Sequence, residues 1–248
     1  MTVTLDIPPA VATSVAIDVS PVTAGSAPAT VSVAANELSA SFTYTSNATA
    51  TVTATLGASS SSSAVTSAAS SAGLVISAVY GGGGNTGAPF TNDYIEVHNA
   101  STGPIDLAGK SVQYGSATGT TWQVTSLPAI TLAAGGYVLI QEAAGATPST
   151  ALPTPDATGT INMSAANGKV ALVDGTTALS GACPTGLLDL IGYGTANCAE
   201  GTAAPAGSNT TALLRGANGC ADTDANSTDV APGTPSPRNT ASAPATCN

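Results

Sequence analysis

Leu74-Val75-Ile76-Ser77-Ala78-Val79-Tyr80-Gly81-Gly82-Gly83-Gly84-Asn85 and, a few residues on, Asn92-Asp93-Tyr94-Ile95-Glu96-Val97-His98-Asn99 decide how this chain is read. Both runs are rich in β-branched and aromatic residues, and glycines separate them. That pattern predicts two strands joined by a loop. Alternation places Tyr94, Glu96 and His98 on one strand face and Ile95 with Val97 on the other. Gly82, Gly84 and Gly87 also satisfy G-x-G-x-x-G. A dinucleotide fingerprint requires a helix starting at that loop, to aim its N-terminus at the pyrophosphate. Here Pro89 and then a strand follow, so the loop reads as a β-connection.

Working outward, the same texture continues. Leu74–Tyr80, Tyr94–His98, Ser111–Tyr114, Thr121–Val124, Tyr137–Gln141, Thr160–Met163, Lys169–Val173, Leu187–Tyr193 and Thr210–Leu214 are strand candidates, punctuated by Gly, Pro, Asn and Asp. No 12-residue window carries a helical stripe. Upstream, residues 1–72 alternate Val or Ala with Ser or Thr, as in Ala29-Val31-Val33, Leu38-Ala40-Phe42-Tyr44 and Ala50-Val52-Ala54-Leu56. Turn signals fall at Pro8-Pro9, Pro21 to Gly25 and Ser46-Asn47. Ser59 to Ser63 and Ser67 to Ser71 read as linker-like, with Ala64-Val65-Thr66 between them able to complete a last strand. The expected architecture is all-β: two tandem immunoglobulin-like β-sandwiches, residues 1–72 and 73–240. A Pro-rich tail follows, whose last residues, 241–248, are pinned by Cys247.

Charge narrows the function classes. Charged residues make up 7% of the chain, against roughly 25% in an ordinary domain. The four bases, Lys110, Lys169, Arg215 and Arg238, are scattered among 14 acids, for a net charge of −10. Nucleic-acid binding needs clustered bases to displace counterions, and anionic membrane surfaces are disfavoured for the same reason. No apolar run approaches the ~20 residues of a membrane span. Partners are therefore expected to be protein or glycan surfaces.

The four cysteines, Cys183, Cys198, Cys220 and Cys247, contain no C-x-x-C pair, and the single histidine is distant in sequence. Zinc sites use tightly spaced ligands, so two disulfides are the better reading. Three pairings are open, and the local one, Cys183–Cys198 with Cys220–Cys247, is preferred. Disulfides imply an oxidising compartment, secreted or at the cell surface. The N-terminus lacks a basic region followed by an apolar one, so this reading places any signal peptide outside the chain.

Residues 73–240 resemble the bacterial lamin tail domain. The opening strand and glycine loop, the Asn92 to Asn99 strand, and Ile105-Asp106-Leu107-Ala108-Gly109 with Ser111-Val112-Gln113-Tyr114 carry the resemblance. Gly135-Gly136-Tyr137-Val138-Leu139, Gly168-Lys169-Val170-Ala171-Leu172 and Asp189-Leu190-Ile191-Gly192-Tyr193-Gly194 extend it. The resemblance implies an immunoglobulin-like sandwich in a secreted or surface protein, one that binds or tethers rather than catalyses. Ala78 stands where such domains usually carry Glu.

Candidate chemistry is sparse. Glu96 and His98 share a strand face, but a working site needs several convergent groups, and a polar outward face explains them as well. Asp222, Asp224 and Asn226, with Asp229, begin like a calcium loop. Ser227 then stands in place of the sharp-turn glycine and Gly233 in place of the bidentate Glu, so Asx-turns in an exposed loop are the competing account. Apart from that calcium, no cofactor is expected. No G-x-S-x-G elbow accompanies His98. Trp122 reads as a core residue. The expected function is a non-catalytic extracellular binding or structural module, with a self-assembling surface or fibre subunit as one variant. The alternative is an accessory domain of a secreted nuclease or phosphatase.

Overall fold

The computed structural model describes residues 1–20, 25–46, 50–65, 73–147 and 149–247. The turns expected at Pro21 to Gly25 and Ser46-Asn47, and the serine-rich stretch 67–71, lie wholly or partly outside these residues. The chain divides into two units, Met1–Ser70 and Ser71–Asn248.

The first unit contains β1 (Thr2–Thr4), β2 (Thr13–Ser20), β3 (Gly25–Ser26), β4 (Thr30–Val33), β5 (Ser39–Ser41), β6 (Thr45–Ser46), β7 (Ala50–Leu56) and β8 (Ser59–Val65). A four-stranded sheet runs β4-β2-β7-β8, and β1-β5 and β3-β6 are separate pairs. Alternation decides what each strand buries. Val15 and Ile17 on β2, Val31 and Val33 on β4, Val52 on β7 and Val3 on β1 form one apolar cluster, while the Ser and Thr between them face outward. The two residues Gly57-Ala58 join β7 to β8, and Gly57 at φ +61 meets the positive φ that primed hairpin turns demand.

The second unit contains β9 (Leu74–Tyr80), β10 (Asn92–Asn99), β11 (Ile105–Asp106), β12 (Ser111–Gly115), β13 (Gln123–Ser126), β14 (Thr131–Leu132), β15 (Tyr137–Ala144), β16 (Ala157–Thr158), β17 (Gly168–Val173), β18 (Asp189–Tyr193), β19 (Ala212–Arg215) and β20 (Val230–Gly233). A six-stranded sheet, β16-β15-β10-β9-β19-β20, accompanies a four-stranded sheet, β13-β12-β17-β18. Ile76, Ile95, Val97, Val138 and Ile140 from the first share one buried cluster with Val112, Val170, Leu172 and Ile191 from the second. That common cluster makes the unit a β-sandwich. Burying each such aliphatic side chain is worth roughly 1.5–3 kcal/mol, so this shared layer dominates the stability.

Two local features depart from strict alternation. The β9–β10 register pairs Glu96 with Ala78 and then Val97 with Ile76, which makes Ser77 the extra residue of a β-bulge. A bulge turns two successive side chains to one side. Ile76 and Val79 therefore face the core, while Ala78 joins a second cluster with Tyr80, Tyr94 and Leu139 on the outer face of the six-stranded sheet. The strand expected at Thr160–Met163 does not form. Its amides bond to carboxylates instead: Ile161 N donates to Glu142 Oε2 at 2.9 Å and Met163 N to Asp93 Oδ2 at 2.9 Å. Side chains from β10 and β15 thus take the place of a ladder. Among the described residues, no helix is long and apolar enough to cross a membrane.

Candidate functional site

Tyr94, Glu96 and His98 do share a strand face, but it is not an outward polar surface, because all three side chains are fully buried. The cover is the C-terminal segment after β20. Pro235, Pro237 and Pro244 limit its ladder pairing, so it attaches largely through side chains and single backbone bonds. Arg238 is its anchor. Its Nη2 donates to Glu96 Oε1 at 2.7 Å, its backbone N donates to Glu96 Oε2 at 2.6 Å, and its Nη1 donates to the Tyr137 hydroxyl at 2.7 Å. The bulged Ser77 donates to Glu96 Oε1 at 2.6 Å. Glu96 is thereby a buried carboxylate with its charge matched, as burial requires.

The Tyr137 ring lies between two partners, with the Arg238 guanidinium 3.7 Å from its centroid and the His98 ring stacked at 4.5 Å. His98 Nε2 lies 2.9 Å from the Ala245 carbonyl, which fits an N–H donor. Farther along, Thr240 N donates to Asp156 Oδ2 at 3.1 Å and Ala245 N to the Gly135 carbonyl at 2.9 Å. The Cys220–Cys247 disulfide closes the strap, and Cys183–Cys198 is the other bridge.

The loop singled out for calcium is built around Arg215, which is buried. Arg215 Nη2 donates to both carboxylate oxygens of Asp189 at 2.8 Å, Nη1 to Asp222 Oδ1 at 2.9 Å and Nε to the Ile76 carbonyl at 3.0 Å. Asp229 accepts from Thr223 N and Thr223 Oγ1, both at 2.8 Å, and so closes the loop back on a residue that precedes it by six, which is not the forward bond of an Asx-turn. Asn226 is fully buried and stitches the loop to β18, its Oδ1 accepting from Gly192 N at 2.8 Å and its Nδ2 donating to the Leu190 carbonyl at 2.8 Å. Asp224 is exposed, at φ +55. Asp222, Asn226 and Asp229 are thus turned to protein partners, and the structure does not gather the four onto one point.

Asp189, Glu200 and Asp222 do converge, with one oxygen from each within 4.8 Å of the others, and the Arg215 guanidinium is already paired with Asp189 and Asp222. Burial first, and then the neighbouring Asp189, pushes the Glu200 carboxyl up to about 8.

Lys169 is a second buried base. Its Nζ donates to the carbonyls of Gly119 and Ala182 and to Asn197 Oδ1 at 2.7–2.9 Å, and it lies 5.2 Å from the Trp122 ring centroid. Trp122 is buried and donates through Nε1 to the Gly181 carbonyl. The sequence showed bases scattered along the chain. It carried no sign that Lys169 and Arg215 would be interior and Arg238 the clamp of the tail. Their partners, Asn197, Asp189 and Glu96, lie 26 to 142 residues away.

Two further carboxyls are buried. Asp93 accepts from Gly83 N at 2.8 Å and from Met163 N, and burial outweighs these bonds to push its pKa up to about 6. Burial pushes Glu142 up to about 7, and its Oε1 has no hydrogen-bond partner.

The fold describes an immunoglobulin-like β-sandwich in which Glu96, Lys169 and Arg215 are buried polar groups that tie distant segments together. The chain belongs to the Lamin Tail Domain family, whose pattern its sequence matches over residues 67–219, more than half its length. No curated protein matches it. A solved structure of a DUF4876 family protein from Bacteroides thetaiotaomicron is similar at 12% identity and a TM-score of 0.43, covering 97% of this chain and 96% of that one.

Proposed function

We propose that this chain is a non-catalytic extracellular binding or structural module that associates with further copies of itself through the edge strands of its first unit. One observation carries this reading. Met1, Ile7, Val11, Leu38 and Leu56, the exposed large apolar side chains among the described residues, all lie in the first 56 residues. The edges of β1 and β8 flank an open cleft of about 620 Å3, with Val3 and Leu5 on one side, Ser59 to Ser61 on the other, and Val15 and Ala54 at its base. Among the described residues, each of the two strands has a sheet neighbour on one side only, β5 for β1 and β7 for β8. Free edge amides and carbonyls beside an apolar cleft are what an added strand uses, with main-chain bonds for affinity and pockets for alternate side chains. The lamin tail unit supports the tethering half of the reading, because its buried Glu96, Lys169 and Arg215 are engaged in holding its own segments together. The two disulfides are compatible with an extracellular setting.

Sedimentation velocity and negative-stain imaging over a concentration series test the association. The expected result is growth of dimers or fibres with concentration. Monodisperse monomers throughout would overturn the reading.

A further inference from the structure

The chain's only histidine, remote in sequence from every cysteine, is adjacent to two of them in the fold. A ring nitrogen of His98 and the sulfurs of Cys220 and Cys247 all lie within 4.8 Å of one another. We propose that His98, Cys220 and Cys247 form a redox-gated site for a zinc-class divalent cation, which assembles when the Cys220–Cys247 disulfide is reduced. This site is independent of the edge-strand association proposed above.

The state of the imidazole is the first support. His98 is fully buried, and its Nδ1 has no hydrogen-bond partner. An orphaned polar atom in an interior is costly unless something occupies it under some condition. Nδ1 packs against Gly219, the residue before Cys220, so closely that a Cβ at Gly219 would come within 2.8 Å of it. Gly219 holds φ +102 there, and glycine admits both that φ and the close approach. Meanwhile Nε2 faces the Ala245 carbonyl. A backbone carbonyl on one ring nitrogen fixes the tautomer that leaves the other with a free lone pair, the usual outer-shell arrangement of a metal-ligating histidine.

The second support is that the strap has fastenings other than the disulfide. The strap is also held by Arg238 on Glu96, by Thr240 on Asp156 and by Ala245 N on the Gly135 carbonyl, two residues before Cys247. Both cysteines are only partly buried, so a reductant and a cation reach them. A tetrahedral site with Zn–S of about 2.3 Å and Zn–N of about 2.0–2.1 Å places its donors roughly 3.5–4 Å apart. The histidine and sulfurs are within side-chain adjustment of that spacing once the sulfurs separate. Two thiolates and one imidazole suit zinc and leave a fourth position for water or an exogenous ligand.

The chemistry balances with a phosphine as reductant. The Sγ–Sγ bond breaks, two electrons come from the phosphine, which becomes its oxide with oxygen from water, and two protons give two thiols. Zinc then displaces those two protons as the thiolates bind. The oxidised protein offers no thiolate, and the thiolate is the ligand.

The test uses the full chain, before and after phosphine reduction, with zinc alone as the probe. The expected result is one additional zinc per chain on reduction, measured by equilibrium dialysis. Cobalt in its place should give thiolate-to-cobalt charge-transfer absorption. His98→Phe keeps a ring against Tyr137 and removes both nitrogens. It should weaken zinc binding by at least the roughly 10–100-fold that loss of an outer-shell partner costs such sites. Should the variant misfold, wild-type protein still decides the matter: zinc should slow alkylation of Cys220 and Cys247, read by peptide mapping, and leave Cys183 and Cys198 unprotected. No uptake on reduction, equal uptake by folded His98→Phe, or equal protection of all four cysteines would overturn the proposal.

Discussion

At the scale of single residues, this protein places much of its scarce charge inside. Glu142 shows the consequence. Its carboxyl titrates near 7 because burial opposes ionisation, and Asp93 titrates near 6 for the same reason. An acid whose folded pKa is raised holds its proton more tightly in the folded state, so unfolding releases protons and stability falls as pH rises. For these two carboxyls the window runs from the ordinary carboxylate range near 4 up to about 7, and Glu200, raised to about 8, extends it to about 8. A tenfold change in an ionisation constant is worth about 1.4 kcal/mol, so denaturant melts of the second unit should show a loss on the order of a few kcal/mol between pH 4.5 and 8. Glu142→Gln removes the charge and keeps an oxygen for Ile161 N–H. It is expected to gain on the order of 1–3 kcal/mol at pH 8 and to change little at pH 4.5. An equal effect at both pH values would sink this account. Arg215→Met, by contrast, strands Asp189 as a buried charge, and breaking such a pair from one side costs about 3–5 kcal/mol. Urea midpoints at pH 7 measure that loss. The types of these residues were visible in the sequence, but their burial was not, because alternation reports which side of a strand a residue takes and not whether that side is covered.

The strap after β20 is the telling element. Proline-rich and without strand periodicity, it reads in the sequence as a loose extended tail, and the position of Cys247 was the one sign that it is fastened. In the structure it seals the outer face of the six-stranded sheet over Glu96, His98 and Tyr137. Removing its staple with Cys220→Ser and Cys247→Ser should cost about 3 kcal/mol by the chain-entropy argument. Arg238→Ala should cost more than an exposed ion pair would, since it leaves Glu96 buried without its counter-charge. Amide hydrogen exchange separates the two effects. Arg238→Ala should accelerate exchange across β10 and β15, while the disulfide variant should do so mainly at the turn 216–220. Uniform acceleration in both variants would mean the strap is not a local cover. The bulge at Ser77 is equally an element-scale fact, since one extra residue turns Ala78 outward and sets a serine hydroxyl on Glu96. A period-two reading of Leu74–Tyr80 carries no trace of it.

At the scale of the whole molecule, the two units divide their surfaces differently. The second turns its large apolar groups inward, whereas the first leaves Ile7 and Val11 more than two-thirds exposed and Leu38 at 46%. Lysine on an edge strand is a common device against strand addition. Ser61→Lys with Ser63→Lys on β8 should therefore shift the sedimentation distribution to monomer while leaving the circular dichroism unchanged. Association that survives both substitutions would place the contact elsewhere.

By itself the sequence determined the all-β class, the inward set of Ile95 and Val97 and the family, because period-two alternation and glycine punctuation are local and fix which residues share a face; it did not foresee that Ser59 to Ser63, read as linker-like, belong to β8 or that Thr160–Met163 forms no strand. Only the tertiary structure decided that Tyr94, Glu96 and His98 are covered, that Arg215 stands at the centre of the acidic loop, and that the single histidine meets Cys220 and Cys247. Those outcomes depend on segments up to 147 residues apart converging on one face of a sheet. Local periodicity carries no information about what packs over a face, and that covering is what turns a polar strand into a closed interior.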